Sequence, residues 1–378
     1  MLIDGYFIGK PYGFGRFIFE LCRALGQTES GLRFTVAVPA RAATEMLPTY
    51  PSLQWRRLPD ANFIVWEQLM IPVLARRLGC NGIHFPYNTR AFFTLGLPSV
   101  TTVHDLLFLT ERTSLRNFKA FAMSVYSRVV FQGATRRSHA LISVSDTTRR
   151  FLAQHGLQST TVYNSVDGFL ETIGSANAAP RMPFLLHRGG YQAHRNSARV
   201  IEAFRRVRAS YPDVELVILG APRGADLWGR PGDAGIHFLP RVSDEELVGL
   251  YRRCRGVIAT SLQEGFGLPI IEGFGFGVPV VTSRLDPMRE VAGDAALLVD
   301  PYDIAEIAAA MLSLIEEPDR FRMLVARGSA RREVFASQRV AEQMVQIYRS
   351  ALGLCQPAVS GCGAGAAGAP RMVRRDVE

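Results

Sequence analysis

A chain of 378 residues, 48% hydrophobic and 20% charged, has an ordinary globular balance and the length of two domains rather than one. Five scattered cysteines with no CxxC or zinc spacing, and no apolar run near the roughly 18–20 residues that span a bilayer, exclude a disulfide scaffold, a structural zinc module and an integral membrane protein. The net charge of +9 belongs to one half: residues 1–165 carry 18 Lys/Arg against 9 Asp/Glu, and residues 166–378 carry 25 against 25. The cysteines read as reduced thiols of a cytosolic protein, and Met1 opens directly on a strand pattern, so no leader is expected.

Met1 to Ile8 reads as a short strand. Gly9 to Arg16 is a glycine-rich turn, and Phe17, Ile18, Leu21, Ala24 and Leu25 follow at helical spacing. Gly13 and Gly15 therefore sit in a turn of phosphate size, or in a plain strand-to-helix connection. Phe34–Val38 predicts a strand and Leu69–Leu78 a helix; Ile83–Pro86 and Ser99–Val103 predict two more strands. The last runs into His104. A histidine just past a strand's carboxyl end either lines the crevice where open α/β sheets bind ligands or caps the turn. Asn117 to Thr135 has helical period, with Phe118, Phe121, Met123, Val125 and Tyr126 among Arg116, Lys119, Arg128, Arg136 and Arg137. This is a solvated helix over the sheet or a basic amphipathic surface at a membrane. No helix-turn-helix or zinc pattern accompanies it, so nucleic acid is not the expected partner. Leu141–Val144 predicts a strand, Asp146 a helix start, and Thr161–Asp167 the last strand of the first half. Gly168–Pro183, rich in Gly, Ala, Ser and Pro, reads as a linker.

The second half opens with Phe184–Gly190, a strand entering a glycine turn. Arg195-Asn196 then leads into a helix carrying Val200, Ile201, Ala203, Phe204 and Val207. Glu215–Gly220 and Ile236–Pro240 predict strands. Ser243 with Glu246 predicts a capping box. The most informative stretch is Glu264-Gly-Phe-Gly-Leu-Pro-Ile-Ile-Glu272, between the apolar runs Val257–Ala259 and Val278–Val281. It reads as strand, loop, helix, strand, with Pro269 in the first helical turn. Glu264 falls at a strand's carboxyl end, and Glu272 lies one turn into the helix, facing the same crevice. Gly265 and Gly267 let the backbone approach a ligand with bare N–H groups, and the helix start adds about half a positive charge. One acceptor for sugar hydroxyls, a second for another polyol and an anion cradle match the hexose, ribose and diphosphate of a nucleotide sugar. Helices are predicted near 303–316, 319–331 and 337–351. The Gly/Ala-rich tail from Gln356 has no period and is expected to be disordered.

This stretch resembles the E-x7-E motif of family-4 retaining glycosyltransferases of the GT-B fold. The resemblance covers residues 1 to about 350 and is strongest over 236–301. It implies an α/β protein of two Rossmann-like, doubly wound domains facing a cleft. These are an acceptor-side domain over 1–167, a linker over 168–183 and a nucleotide-sugar domain over 184–335. A C-terminal helix over 336–352 and a tail over 353–378 complete the chain. The loop around Gly13-Phe-Gly15-Arg16 is similar to the family's G-x-G-R-[YF] opening, His104-Asp105 to its cleft pair, and Thr161–Asp167 to V-x-N-G-V-D with Ser165 for the glycine. The family's G-[GR]-x-x-x-[RE]-K-N places Arg195 at the lysine and Gly190 where an arginine is frequent, with Arg188 near enough to substitute. The resemblance implies catalytic roles for Glu264, His104 and Arg195. It implies donor contacts by Gly13, Gly15, Arg188, Gly190, Arg195, Arg241, Gly265, Phe266, Gly267, Leu268 and Glu272. No Asp-x-Asp metal site is present, so metal-independent chemistry without a cofactor is expected.

The implied activity is retaining transfer of a mannose- or glucose-type hexose from a nucleotide-diphosphate sugar. The acceptor is a glycan or lipid-linked molecule, in surface polysaccharide synthesis. The alternatives are an epimerase or phosphorylase of the same fold, or a non-catalytic sugar-nucleotide module. The basic first half suggests a cytoplasmic protein held peripherally on the anionic inner face of the membrane.

Overall fold

The computed structural model describes residues 1–9, 13–42, 47–105, 118–171, 184–190, 192–220 and 234–354. Two parallel sheets organise them. The first has seven strands in the order β3-β2-β1-β4-β5-β6-β7: β1 (Leu2–Asp4), β2 (Phe34–Pro39), β3 (Leu53–Leu58), β4 (Ile83–Phe85), β5 (Ser99–Val103), β6 (Ala140–Ser143) and β7 (Thr160–Thr161). The second has six, in the order β10-β9-β8-β11-β12-β13: β8 (Phe184–His187), β9 (Glu215–Leu219), β10 (Ile236–Leu239), β11 (Gly256–Ala259), β12 (Val280–Ser283) and β13 (Leu297–Val299). The central strands are short and buried along their length, as strands covered on both faces must be; β11 is mostly apolar, while β5 buries Ser99, Thr101 and Thr102 beside its valines. Strand order reverses between β1 and β4 and again between β8 and β11. At each reversal the flanking connections leave to opposite faces, and a crevice opens beyond the strands' carboxyl ends.

Several boundaries differ from the sequence reading. Only Leu2–Asp4 of the Met1–Ile8 pattern is strand, because the chain turns over Tyr6–Gly9, where the Ile8 N–H bonds the Gly5 carbonyl. The edge strand β3 is not among the predicted strands, since Gln54, Arg56 and Arg57 break its apolar pattern on the solvent side. The helix expected from Leu69 begins at Phe63, capped by the Asn62 side chain, and passes through a π turn at Trp66–Met70 that buries Trp66 and Glu67. Of Thr161–Asp167 only Thr161 belongs to a strand, and the first part of the expected linker is a short helix, Asp167–Glu171. The rest of that linker, Arg116 and the tail from residue 355 lie outside the described residues.

The helices Ile304–Glu316, Pro318–Arg332 and Ser337–Ala351 fall close to their predicted bounds. The last one returns to the first sheet. Val340, Met344, Val345 and Tyr348 join Leu2, Ile3 and Phe34 in its core, and the Tyr348 hydroxyl lies 2.8 Å from His84 Nδ1. Polar contacts also tie the halves together. Asp167 accepts from Arg332 (2.9 Å) and from the Ser337 N–H (2.7 Å). Glu290 caps the start of the Asp146–Gln154 helix by accepting from the Asp146 and Thr147 N–H groups at 2.6 and 2.9 Å. The two crevices are thereby held face to face.

Candidate functional site

The second sheet's reversal gathers the charged residues of the site. Arg188 follows β8, and Arg195 closes a single 3-10 turn before the Ser197–Ser210 helix. Glu264 stands on the loop after β11. The Leu268–Gly275 helix follows, with Gly267 as N-cap at φ +106° and Pro269 in its first turn. Arg195 pairs with Glu264 Oε1, which also accepts from Ser261 Oγ at 3.0 Å. Arg188 pairs with Glu272 Oε2, which also accepts from the Tyr251 hydroxyl at 2.6 Å. Burial alone would raise the fully buried Glu272 carboxyl; Arg188, then Arg16 and Tyr251, hold it below the usual carboxylate range. Burial, helped by Arg188, lowers the Arg195 guanidinium to about 10, so it stays cationic near neutrality.

The first sheet supplies the opposite wall. His104 is buried just past β5. Its Nε2 donates to the Pro86 carbonyl at 3.1 Å, and the rings of Phe14 and Phe17 meet it edge-on. Burial lowers its pKa to about 4, so at neutral pH it is an uncharged imidazole with Nδ1 as the acceptor. A Cβ on Gly265 would collide with the His104 carbonyl oxygen. The sequence reading gives Gly265 to a ligand; in the structure its missing side chain first lets the two halves meet. Gly190 is fixed by backbone too. Its φ is +62° and a Cβ would lie 2.8 Å from the Gly220 carbonyl oxygen, so the arginine frequent at this place in the family has no room. Arg188, two residues earlier, places its guanidinium on Glu272.

The remaining predicted residues divide. Gly13 begins the first helix (Gly13–Gln27) and Gly15 is buried within it, so neither forms a free loop. Leu268 faces Gly13 across the cleft, 4.0 Å from where a Cβ would stand. Phe266 turns inward and packs its ring against Tyr163 and Phe335. Arg241 is exposed on the loop before the Asp244–Arg253 helix, whose Ser243/Glu246 capping box forms as predicted. Two site residues escape the sequence reading as single residues. Tyr251 carries no local signal, and Arg16 appears only as the end of a motif. Arg16 Nη2 donates to Asp244 Oδ1 at 2.5 Å from across the cleft.

Beneath this wall, Asp4 ends β1 fully buried. Its Oδ1 accepts from Trp66 Nε1 (2.7 Å), the Tyr6 N–H (3.0 Å) and Tyr87 (3.2 Å), while Oδ2 has no hydrogen-bond partner among the described residues. Burial raises its carboxyl to about 7, against those donors. The unfolded value is about 3.9, so the folded chain holds an extra proton across that window and loses stability as pH rises through it. Buried His84, His104 and His187, lowered to about 3, 4 and 4, act with the opposite sign. The isolating measurement is therefore Asp4→Asn relative to wild type. Between pH 5 and 8 the variant should gain roughly 2–3 kcal/mol of relative unfolding free energy. A relative stability that stays flat over that range would show Asp4 to be ionised throughout.

Residues 171–331 match the family described as Glycosyl transferases group 1, and residues 11–168 match Glycosyltransferase Family 4. The chain belongs to these group 1, family 4 glycosyltransferases of GT-B type. Among curated relatives it is similar to O-antigen chain mannosyltransferase B of Escherichia coli, 32% identical over 44% of this chain and 45% of that protein. It is also similar to phosphatidyl-myo-inositol mannosyltransferase of Mycolicibacterium smegmatis, 31% identical over 59% of this chain and 61% of that protein. The match thus spans about half the length of these relatives. Among solved structures, sucrose-phosphate synthase from Thermosynechococcus elongatus superposes with a TM-score of 0.70 at 17% identity, covering 94% of this chain and 99% of that one. Anabaena HepE in complex with UDP-glucose superposes with a TM-score of 0.64 at 17% identity, covering 92% and 99%. At these identities the structural likeness establishes the fold.

Proposed function

We propose that the protein is a retaining hexosyltransferase using a nucleotide-diphosphate sugar. The observation that carries this reading is the pairing of Glu264 with Arg195 and of Glu272 with Arg188 at one sheet reversal, opposite the His104 loop. In the reaction the donor's glycosidic bond breaks toward an oxocarbenium-like state, and negative charge gathers on the diphosphate. Arg195, Arg188 and the N–H groups at the start of the Leu268–Gly275 helix stabilise that leaving group. Glu264 holds the sugar's hydroxyls and Glu272 the ribose. The acceptor hydroxyl attacks from the face the diphosphate leaves and gives its proton to the departing phosphate oxygen. His104, neutral, serves as a hydrogen-bond acceptor beside this reaction and supplies no proton.

Two guanidiniums and a helix start do the work a cation would otherwise do, so donor consumption should survive a metal chelator. The test is a screen of nucleotide sugars with purified protein, with and without chelator. Chelator inhibition relieved by Mg²⁺ or Mn²⁺ would overturn the metal-independent part. Consumption that needs free phosphate, or release of an altered nucleotide sugar without acceptor, would instead identify a phosphorylase or epimerase. Binding without turnover would identify a non-catalytic module.

The mannose- or glucose-type donor and the glycan or lipid-linked acceptor draw support from the relatives' names, which include an O-antigen chain and a phosphatidyl-myo-inositol mannosyltransferase. Peripheral attachment to an anionic inner leaflet draws on charge placement and on the surface. Gln68 bonds the Arg90 carbonyl, the Phe92 N–H and Tyr126, joining three segments that expose Leu69 (60%), Phe93 (81%), Val125 (43%) and Val129 (56%). No helix among the described residues is long and apolar enough to cross a membrane. The protein should co-sediment with anionic liposomes at low salt and be released as salt screens the charges. If it stays in the supernatant at low salt, the peripheral attachment is overturned.

A further inference from the structure

Glu272 is fully buried, and its two oxygens differ. Oε2 is committed to Arg188 and the Tyr251 hydroxyl. Oε1 has no hydrogen-bond partner among the described residues, and it faces Arg16 Nη1 at 3.9 Å. Arg16 Nη1 is buried and equally without a hydrogen-bond partner there. The arginine has two other partners. Its Nη2 is held by Asp244 Oδ1 at 2.5 Å, and its guanidinium lies 3.7 Å over the Phe169 ring. A buried donor and a buried acceptor thus stand opposed, beyond the roughly 2.7–3.2 Å of an N–H···O bond.

The group that fits such a pair must accept from the guanidinium and donate to the carboxylate. A hydroxyl does both from one atom. A carbonyl oxygen would leave Glu272 unpaired, an anion would be repelled by Glu272, and an ammonium would be repelled by Arg16. Arg16 belongs to the first half of the chain and Glu272 to the second, so the hydroxyl would be gripped from both sides of the cleft. We infer that Arg16 is a donor-binding residue, and that Arg16 Nη1 and Glu272 Oε1 share one ribose hydroxyl of the nucleotide sugar. This rests on the proposed reading that Glu272 faces the ribose. It adds that the first half contacts the nucleotide directly.

The test is calorimetric titration of the full chain with UDP and GDP, then with the 2′-deoxy and 3′-deoxy forms of whichever binds. Wild type should lose about tenfold or more in affinity for one deoxy form, the effect of a charge-assisted hydrogen bond. Arg16→Gln should weaken the ribonucleotide by about tenfold while shrinking the deoxy penalty to within about threefold. Arg16→Lys keeps the positive charge toward Asp244 but lacks the second nitrogen, and should behave like Arg16→Gln. Asp244→Asn removes the ion pair across the cleft without touching the hydroxyl and should keep the wild-type penalty. A full deoxy penalty in both Arg16 variants would overturn the shared hydroxyl and leave Glu272 as the ribose residue. Equal wild-type affinity for ribo- and deoxynucleotides would remove the ribose reading itself, and failure to bind any nucleoside diphosphate would remove the proposed function with it.

Discussion

Glu264→Gln should lower turnover by roughly 10²–10³-fold, about 3–4 kcal/mol of transition-state stabilisation, with donor affinity changed only a few-fold. The amide keeps the side chain's shape, and its oxygen can still accept from Ser261 as Oε1 does at 3.0 Å. What it loses is the charge that answers an oxocarbenium-like sugar. It also reduces the Arg195 ion pair to a neutral hydrogen bond on the same oxygen, which leaves that guanidinium at least as available to the ground-state diphosphate. The effect should therefore fall on kcat. Steady-state kinetics decide the matter, and a variant turning over at near the wild-type rate would take Glu264 out of the mechanism.

Glu272→Ala should behave quite differently, as a folding defect first. Its carboxylate is the buried counter-charge of Arg188 and the acceptor of the Tyr251 hydroxyl, and it lies 3.9 Å from a second guanidinium. Removing one partner of such a buried pair strands the others, at roughly 3–5 kcal/mol. Urea unfolding of the variant against wild type reads this directly. Tyr251→Phe, which deletes one hydrogen bond and keeps the charges, should cost about 1–3 kcal/mol. A Glu272→Ala protein as stable as wild type would mean that the crevice is wet and the pair already solvated. The destabilisation also means that donor binding at Glu272 is better probed through the ligand's hydroxyls than by deleting the carboxylate.

The Glu264–Glu272 string is legible in the sequence because every part of it is local. Two apolar runs fix the strands, Gly267 and Pro269 fix the helix start, and eight residues of spacing place both carboxylates at one crevice. The capping box at Ser243 and Glu246 is legible for the same reason. The contacts that complete the site are not local. Arg16 meets Asp244 across 228 residues of sequence, and Glu290 caps a helix 144 residues away. No spacing rule reaches that far. Gly265 illustrates the limit well. The sequence shows that a side chain is missing, but only the fold shows that the His104 carbonyl fills the place a side chain would take. β3 is obscured by its own position, since an edge strand exposes the charged residues that hide its period. The return of the Ser337–Ala351 helix to the first sheet is likewise a packing outcome, visible in Tyr348 against His84 and not in the helix's own amphipathic pattern.

The most direct measurement of the central claim is the anomeric configuration of the product formed from the donor that the screen identifies, read by NMR on the transferred sugar. Bond breaking and attack on one face, with Arg195, Arg188 and the helix start holding the leaving diphosphate and Glu264 the sugar, predict that the donor's configuration is kept. An inverted product would contradict the account, because it would require a base on the opposite face of the sugar from this cluster.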